Sequence, residues 1–372
     1  VRFRRGPLMG LDRDAGRIPL TVAMAKRVVF VLPSFASGGS ERVVLTLAKA
    51  LDRSRFVPEI LVFDAGGPLA AECPADMAQH VLARPRLRQA LLPLVRRLRR
   101  LRPHAVLSSL GYVNLALLVS RPALPLGTRL LVREANTPSQ SLRNGPWPGP
   151  TALAYRLLYP TADAVLCQHR QTRFEMAERF NVAEARLHDL PNPVDVARLR
   201  AAAAVPQRLP GPGRRFVAVG RLTRQKGFDR LIDLFADAAP DDHLLILGDG
   251  PEREALAARA GERVELRGHE PDPWPWMAGA DTLLLPSRWE GLANVALEAL
   301  ACGTPVIATP ESGGIAELAE AAPEGAVTVA AWGKPFARAM RAANANPSNN
   351  LLPPHYDSNA VATQLMAILD GC

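Results

Sequence analysis

Short apolar runs, each bounded by turn signals and separated by longer stretches with helical periodicity, recur along the chain. The first series reads RVVFVLP at 27–33, EILVF at 59–63, AVLSSL at 105–110, RLLVR at 129–133 and AVLCQ at 164–168. A second series reads FVAVG at 216–220, LLILG at 244–248, VELRG at 264–268, TLLLP at 282–286, PVIAT at 305–309 and AVTVA at 326–330. Continuous apolar strands alternating with helices predict a parallel sheet covered on both faces, since each strand then needs apolar side chains on both sides. Two such series predict two Rossmann-like α/β domains. Between them, LPNPVDVARLRAAAAVPQRLPGPGRR is punctuated by Pro and Gly and loses the strand pattern, as an inter-domain linker does, which puts the boundary near residue 195. The end, LLPPHYDSNAVATQLMAILDGC, reads as a Pro-broken loop and then a helix opened by Ser358 as N-cap. The expected division is 24–195, 196–350 and a closing helical segment 351–372. Residues 1–23 are set aside as an over-extended start or a disordered basic tail, because Met24 stands just before the first strand.

Composition narrows the class. A chain of 372 residues with 48% hydrophobic content can bury two cores. Lys and Arg exceed Asp and Glu by 45 to 36, a balance that suits an anionic partner: a nucleotide diphosphate, an acidic membrane surface or nucleic acid. Cys73, Cys167, Cys302 and Cys372 lack C-x-x-C spacing, which argues for free thiols in a reducing cytosol and against a zinc site or disulfide framework. No run of 18 apolar residues occurs and the first 23 residues hold no secretory h-region, so a cytoplasmic protein is expected. RPRLRQALLPLVRRLRRLRPH carries eight Arg between 84 and 102 with Leu at helical spacing. Such a basic amphipathic helix can lie on an anionic bilayer, or pack its Leu stripe on the first sheet with the Arg in water, and Pro93 should limit it to its second half or kink it.

Three loops carry candidate chemistry. In TLLLPSRWEGLANVALEALACGTPVIAT, a strand, a polar turn and an Ala-rich helix place Glu290 in the turn, where ligands of such folds bind, and Glu298 about two helical turns on. Gly291 and the following amides, Leu292 and Ala293, would offer N–H groups and a helix dipole to a phosphate. Taken singly, Glu290 also fits a helix N-terminal acid and Glu298 a solvated helix residue. In FVAVGRLTRQKGFDRLIDLF, Arg221 and Lys226 flank a turn at the end of a strand, where two cations can neutralise a pyrophosphate leaving group. Alone, either would read as part of a solvated basic loop. After the first strand, Gly38 and Gly39 precede Ser40 and a helix, a second anion-cradling arrangement that could equally be only a turn.

Together these segments resemble glycosyltransferase family 4, the retaining enzymes of the GT-B fold, from about Val28 to the final helix. EGLANVALE is similar to the family's E-x7-E signature and is followed by ALACGTPVIAT, Gly313, Gly314 and Glu317. GRLTRQKG, LPNPVD and LGDGPERE resemble its donor-binding, hinge and Gly-x-Gly-Pro elements. The resemblance implies two Rossmann-like domains facing across a cleft, with the last helix crossing back to the first. It implies transfer of a sugar from a nucleotide-diphosphate donor, a UDP-sugar being expected, to a lipid-linked glycan acceptor in cell-surface polysaccharide assembly. Arg221 and Lys226 would bind the diphosphate, Glu298 the ribose, Glu290 the transferred sugar and the amides at Gly291–Ala293 phosphate, with Gly38, Gly39 and Ser40 closing the site from the first domain. Neither a divalent metal nor another cofactor is implied, and the enzyme would be cytoplasmic, peripheral on the membrane's inner face. Many members carry a His after the fourth strand of the first domain. Here that neighbourhood reads LLVREANTPSQ, so Glu134 or Asn136 would take its place, unless Glu134 pairs with Arg133 or Arg129.

Two other classes fit parts of this pattern. A non-hydrolysing sugar-nucleotide epimerase would share the two domains and the donor, but the E-x7-E spacing and the Arg221–Lys226 pair favour transfer. A basic nucleic-acid-binding protein fits the charge, yet aromatic content is only 5% and no recognised module appears.

Overall fold

The computed structural model describes residues 25–36, 38–208, 211–343 and 351–371; the expectation for residues 1–23, and Cys372, lie outside them. Seven strands form the first sheet: β1 (Lys26–Leu32), β2 (Phe56–Val62), β3 (Ala78–Val81), β4 (Ala105–Ser108), β5 (Arg129–Arg133), β6 (Ala164–Cys167) and β7 (Leu187–Asp189). All are parallel, in the order β3-β2-β1-β4-β5-β6-β7. The second sheet holds β8 (Arg215–Val219), β9 (His243–Leu247), β10 (Val264–Gly268), β11 (Thr282–Leu285), β12 (Val306–Ala308) and β13 (Val327–Val329). These too are parallel, ordered β10-β9-β8-β11-β12-β13.

Side chains alternate across each sheet, so one strand feeds two cores. Val28, Phe30 and Leu32 of β1 enter one core of the first domain, and Val29 and Val31 the other. Phe216 and Ala218 of β8 likewise face away from Val217. The strands without an apolar run, β3 (AQHV) and β7 (LHD), are the two edges of the first sheet. There only one neighbour and little of the core need be satisfied, which is why hydrophobicity did not reveal them.

In both sheets the strand order reverses once, between β1 and β4 and between β8 and β11, and ligands of such sheets bind at the carboxyl ends beside that reversal. The loops leaving β1, β8 and β11 are the three that carry the candidate chemistry.

The linker contains a helix, Val196–Ala202, capped by Asp195 and packed on the second domain through Leu199. The helix Leu87–Leu101 runs through Pro93 and is not confined to its second half. Proline removes one N–H, and the burial of Ala90, Leu94 and Leu98 holds the remaining turns. The closing helix, Ser358–Asp370, is capped by Asp357, whose side chain accepts from the Asn359 amide; Ser358 is the first helical residue and not the cap. This helix lies on the first domain, with Val361, Leu365, Ile368 and Leu369 in its core beside the helix Gly39–Ala50. Among the described residues no helix is long and apolar enough to cross a membrane, and Cys73, Cys167 and Cys302 are free thiols.

Candidate active site

Glu290 is nearly buried in the loop after β11, where its Oε1 accepts from Lys226 Nζ at 2.5 Å and from Ser287 Oγ at 2.9 Å. Lys226 comes from the turn after β8. Gly227 brings the two loops together: its φ is +73°, and a Cβ there would stand 2.1 Å from the Pro286 carbonyl oxygen. Arg221, on the same turn, is exposed toward the first domain, and its charge opposes the upward shift that burial imposes on Glu41.

Glu298 is half-buried rather than solvated. Trp274 Nε1 donates to its Oε2 at 3.2 Å. Burial raises its pKa, while Arg42 of the first domain, the Trp274 hydrogen bond and Arg198 of the linker helix hold it down. The guanidiniums of Arg42 and Arg198 stand 5.9 and 5.4 Å from the Trp274 ring centre. With Thr46, Pro193 and Asn294 these residues line a small cavity between the domains.

The helix carrying Glu298 begins only at Asn294, so Glu290 is not on it. The amides with no carbonyl one turn back are therefore those of Asn294 and Val295, which moves the dipole site along from Gly291–Ala293. The Leu292 amide is already bound: it donates to Gln168 Oε1 of the first domain at 3.2 Å. Gly291 abuts Ala135 and Asn136, where a Cβ would lie 2.6 Å from the Ala135 carbonyl oxygen. The loop at Gly313 backs this turn, with the Gly314 amide donating to the Gly291 carbonyl at 2.7 Å.

Across the cleft, Gly38 caps the helix Gly39–Ala50 and the Gly39 carbonyl accepts from Asn294 Nδ2 at 3.0 Å, so the glycine pair faces the loop after β11. Ser40 Oγ turns to Ser109, with its carbonyl and hydroxyl oxygens both 3.2 Å away. Asn192 of LPNPVD donates to the Leu292 carbonyl at 2.9 Å and to Asn294 Oδ1 at 2.5 Å, and accepts from Arg133.

Glu134 does not face this cleft, contrary to its expected place beside the reacting sugar. It is 2% exposed and accepts hydrogen bonds from the hydroxyls of Tyr159 and Tyr155 and from Asn114 Nδ2. Burial lifts its pKa to about 7 against those bonds and the charge of Arg133. The Arg133 guanidinium instead reaches Ser109 and Asn192, and that of Arg129 the last carbonyls of the closing helix. This stretch meets the loop after β11 through the backbone at Ala135–Asn136, with Asn136 partly exposed, and through the Thr137 hydroxyl, which donates to the Glu290 carbonyl at 3.1 Å. Among the described residues no three His, Cys, Asp or Glu gather as metal ligands.

Sequence reasoning passed over Trp274, Arg42, Arg198, Gln168 and Ser287. Asn192 and Asn294 lay inside quoted motifs, but their pairing across the domains left no local signal.

A family profile described as Glycosyltransferase Family 4 matches residues 37–198, and one described as Glycosyl transferases group 1 matches residues 213–346. The N-acetylgalactosamine-N,N'-diacetylbacillosaminyl-diphospho-undecaprenol 4-alpha-N-acetylgalactosaminyltransferase of Campylobacter jejuni is 29% identical over 311 residues, covering 79% of this chain and 83% of that protein. Among solved structures, Anabaena HepE in complex with UDP and glucose superposes with a TM-score of 0.74 at 18% identity, over 93% of this chain and 100% of HepE. Sucrose-phosphate synthase from Thermosynechococcus elongatus gives a TM-score of 0.75 at 18% identity, over 93% and 98%. With one profile matched in each domain and the two-sheet architecture shared, the chain belongs to glycosyltransferase family 4, the group 1 enzymes, and is a glycosyltransferase of the GT-B fold.

Proposed function

We propose that this glycosyltransferase transfers a sugar, with retention of anomeric configuration, from a UDP-sugar to a lipid-linked glycan acceptor. The carrying observation is the Lys226–Glu290 pair at 2.5 Å, held opposite the Gly39 backbone and beside the first turn of the Asn294 helix. A diphosphate bound there meets the Lys226 ammonium, the exposed Arg221 and the free amides of Asn294 and Val295. As the bond from the sugar C1 to the phosphate oxygen breaks, these fixed charges stabilise the oxygen that takes up the electron pair. They perform the neutralisation that a divalent metal otherwise supplies, so the reaction is expected to proceed without one. The Glu298 carboxylate, opening into the inter-domain cavity, accepts from the ribose hydroxyls, and Glu290 from those of the transferred sugar.

The placement of the carboxylates favours retention. Glu134 faces the domain interior and Glu290 is tied to Lys226 and Ser287, so neither is a free base for back-side attack. The acceptor oxygen then attacks from the leaving-group side and passes its proton to the departing phosphate. The Campylobacter relative's name places a diphospho-undecaprenol in its acceptor, and HepE holds UDP, which favours the same classes here.

The test is thermal stabilisation by UDP, GDP and ADP, for the chain and for Lys226→Ala. At a hundredfold excess over Kd, binding to the native state adds about 2.7 kcal/mol, a shift of several degrees. The reading expects this with UDP and its loss in the variant. A shift with GDP or ADP alone overturns the base, and no shift with any overturns the donor site.

A further inference from the structure

We propose that Arg133 is a positioning residue for transfer: acting through Asn192, it fixes which way the Asn294 side chain points and so holds the helix terminus that takes the diphosphate against the Gly39 backbone. The ligand so held is the nucleotide diphosphate of the donor reading, on which this proposal rests for that ligand alone. The contacts form a ring at the junction of the two domains and the linker. Arg133, at the end of β5, donates from Nη2 to Asn192 Oδ1 and from Nη1 to Ser109 Oγ at 3.2 Å. Asn192 Nδ2 donates to Asn294 Oδ1 at 2.5 Å and to the Leu292 carbonyl at 2.9 Å. Asn294 Nδ2 donates to the Gly39 carbonyl at 3.0 Å, and Ser40, the next residue, returns through its Oγ to Ser109 at 3.2 Å.

The ring runs in one direction. A guanidinium only donates, whereas a carboxamide presents oxygen on one side and nitrogen on the other. With Arg133 on its Oδ1, the Asn192 amide turns its nitrogen to Asn294. Asn294 meets that nitrogen with its oxygen, which leaves its own nitrogen for Gly39. Reversing either amide would set like groups face to face and leave buried polar atoms unpaired. The hydroxyls of Ser40 and Ser109 turn either way, so Arg133 is the member that sets the sense of the whole ring.

The charge of Arg133 supports the same role. Its side chain is buried, 1% exposed, with no carboxylate in ion-pair contact among the described residues and no hydrogen-bond partner for Nε. Burial pushes its pKa down to about 10, against the charges of Cys167 and Glu134, which leaves it protonated at neutral pH. A buried guanidinium without a carboxylate lowers stability, so packing alone does not account for it. A diphosphate on the Asn294 and Val295 amides supplies the missing anion, joined to Arg133 through Asn192 and Asn294.

Calorimetric titration of the full chain with UDP, GDP and ADP, beside thermal melting, tests this. Arg133→Lys keeps a group that only donates, whereas Arg133→Gln brings in an acceptor and lets Asn192 turn either way. UDP should bind Arg133→Lys within about threefold of the wild type and Arg133→Gln about tenfold more weakly, the scale of one hydrogen bond to a charged group. Melting should run the other way, because Arg133→Gln removes the uncompensated buried charge and Arg133→Lys keeps it. Asn294→Ala, at a partly exposed residue, should also weaken UDP by about tenfold. Arg133→Gln/Asn294→Ala should add little to either single change, since both cut one path. Binding that follows melting, with Arg133→Gln at or above Arg133→Lys, overturns the proposal. So does a double variant weaker by about a hundredfold, the product of the single effects. Should neither Arg133 variant fold, wild-type affinity in Asn294→Ala overturns it by itself. A wild type that binds none of the three nucleotides removes the donor reading, whereas nucleotide binding untouched in every variant removes only the role of Arg133.

Discussion

Two buried groups give the first domain opposing responses to pH. Burial holds the Glu134 carboxyl at about 7, so the folded protein keeps a proton that the unfolded chain releases between about pH 4.5 and 7. Stability from this group is present at low pH and falls as pH rises through that window. His169, buried after β6 with Thr172 on its Nε2 at 3.0 Å, is pushed down to about 4. The unfolded chain binds its proton first, so this contribution grows as pH rises from about 4 to 6.5. Glu134→Gln removes only the first effect and keeps an acceptor for Tyr159. Above pH 8 it should melt higher than the wild type, by up to about 3 kcal/mol, with the difference vanishing toward pH 4.5. Melting midpoints in buffers from about pH 4.5 to 8.5 decide this; an offset equal at every pH would mean that the carboxyl is not the titrating group.

At the level of elements, the site depends on loops strapped to one another. Leu292 and Gly313 form an antiparallel bridge, and the Glu290 amide donates to the Glu311 carbonyl at 3.1 Å. Gly313 has φ +69°, and a Cβ on it would fall 1.6 Å from the Gly291 carbonyl oxygen. Gly313→Ala should therefore displace the loop that carries Glu290 and lower kcat/KM by about a hundredfold or more, the scale of losing one charge-stabilising contact. Gly325, with φ +78° and nothing within 4 Å of its Cβ position, is the control. Its Ala variant carries only the backbone cost of about 1–2 kcal/mol and should keep full activity. Steady-state kinetics and melting of both variants separate loop displacement from general strain.

Over the whole molecule, the two domains are tied at both sides of the cleft. On one, Arg198 of the linker helix and Lys49 share Glu72, whose carboxyl they hold at about 2. On the other, Glu317 accepts from the Arg170 amide at 2.7 Å, with Glu320 on the Arg170 guanidinium. The closing helix completes the connection, its end anchored by Asp370 on Lys26 and Arg55 and by Arg129 on the Ile368 and Leu369 carbonyls. Ending the chain at Asp357 removes five buried apolar residues, Ala362 and four larger side chains worth about 1.5–3 kcal/mol each, a loss comparable to the whole stability of an ordinary domain. The first domain of such a truncation should fail to fold in soluble form. Asp370→Asn, at a solvent-facing pair, should cost under about 1 kcal/mol. Expression, solubility and melting of the two variants give the comparison.

Hydrophobic pattern alone determined the two parallel sheets, because a strand buried on both faces must be apolar at consecutive positions. Glycine and charge spacing marked the loops of Glu290, Lys226 and Gly39, because a strand end needs such residues to let a ligand approach. The edges β3 and β7 stayed hidden, since a strand that buries little carries no hydrophobic signal. Tertiary structure decided the rest. Glu134 turned inward because the hydroxyls of Tyr155 and Tyr159, some twenty residues on, were there to receive it. Trp274, Arg42 and Arg198 met around Glu298, and Gln168 and Asn192 met the loop after β11, only because two domains and a linker folded together. Contacts between residues a hundred positions apart depend on how rigid sheets pack, and no local pattern encodes that.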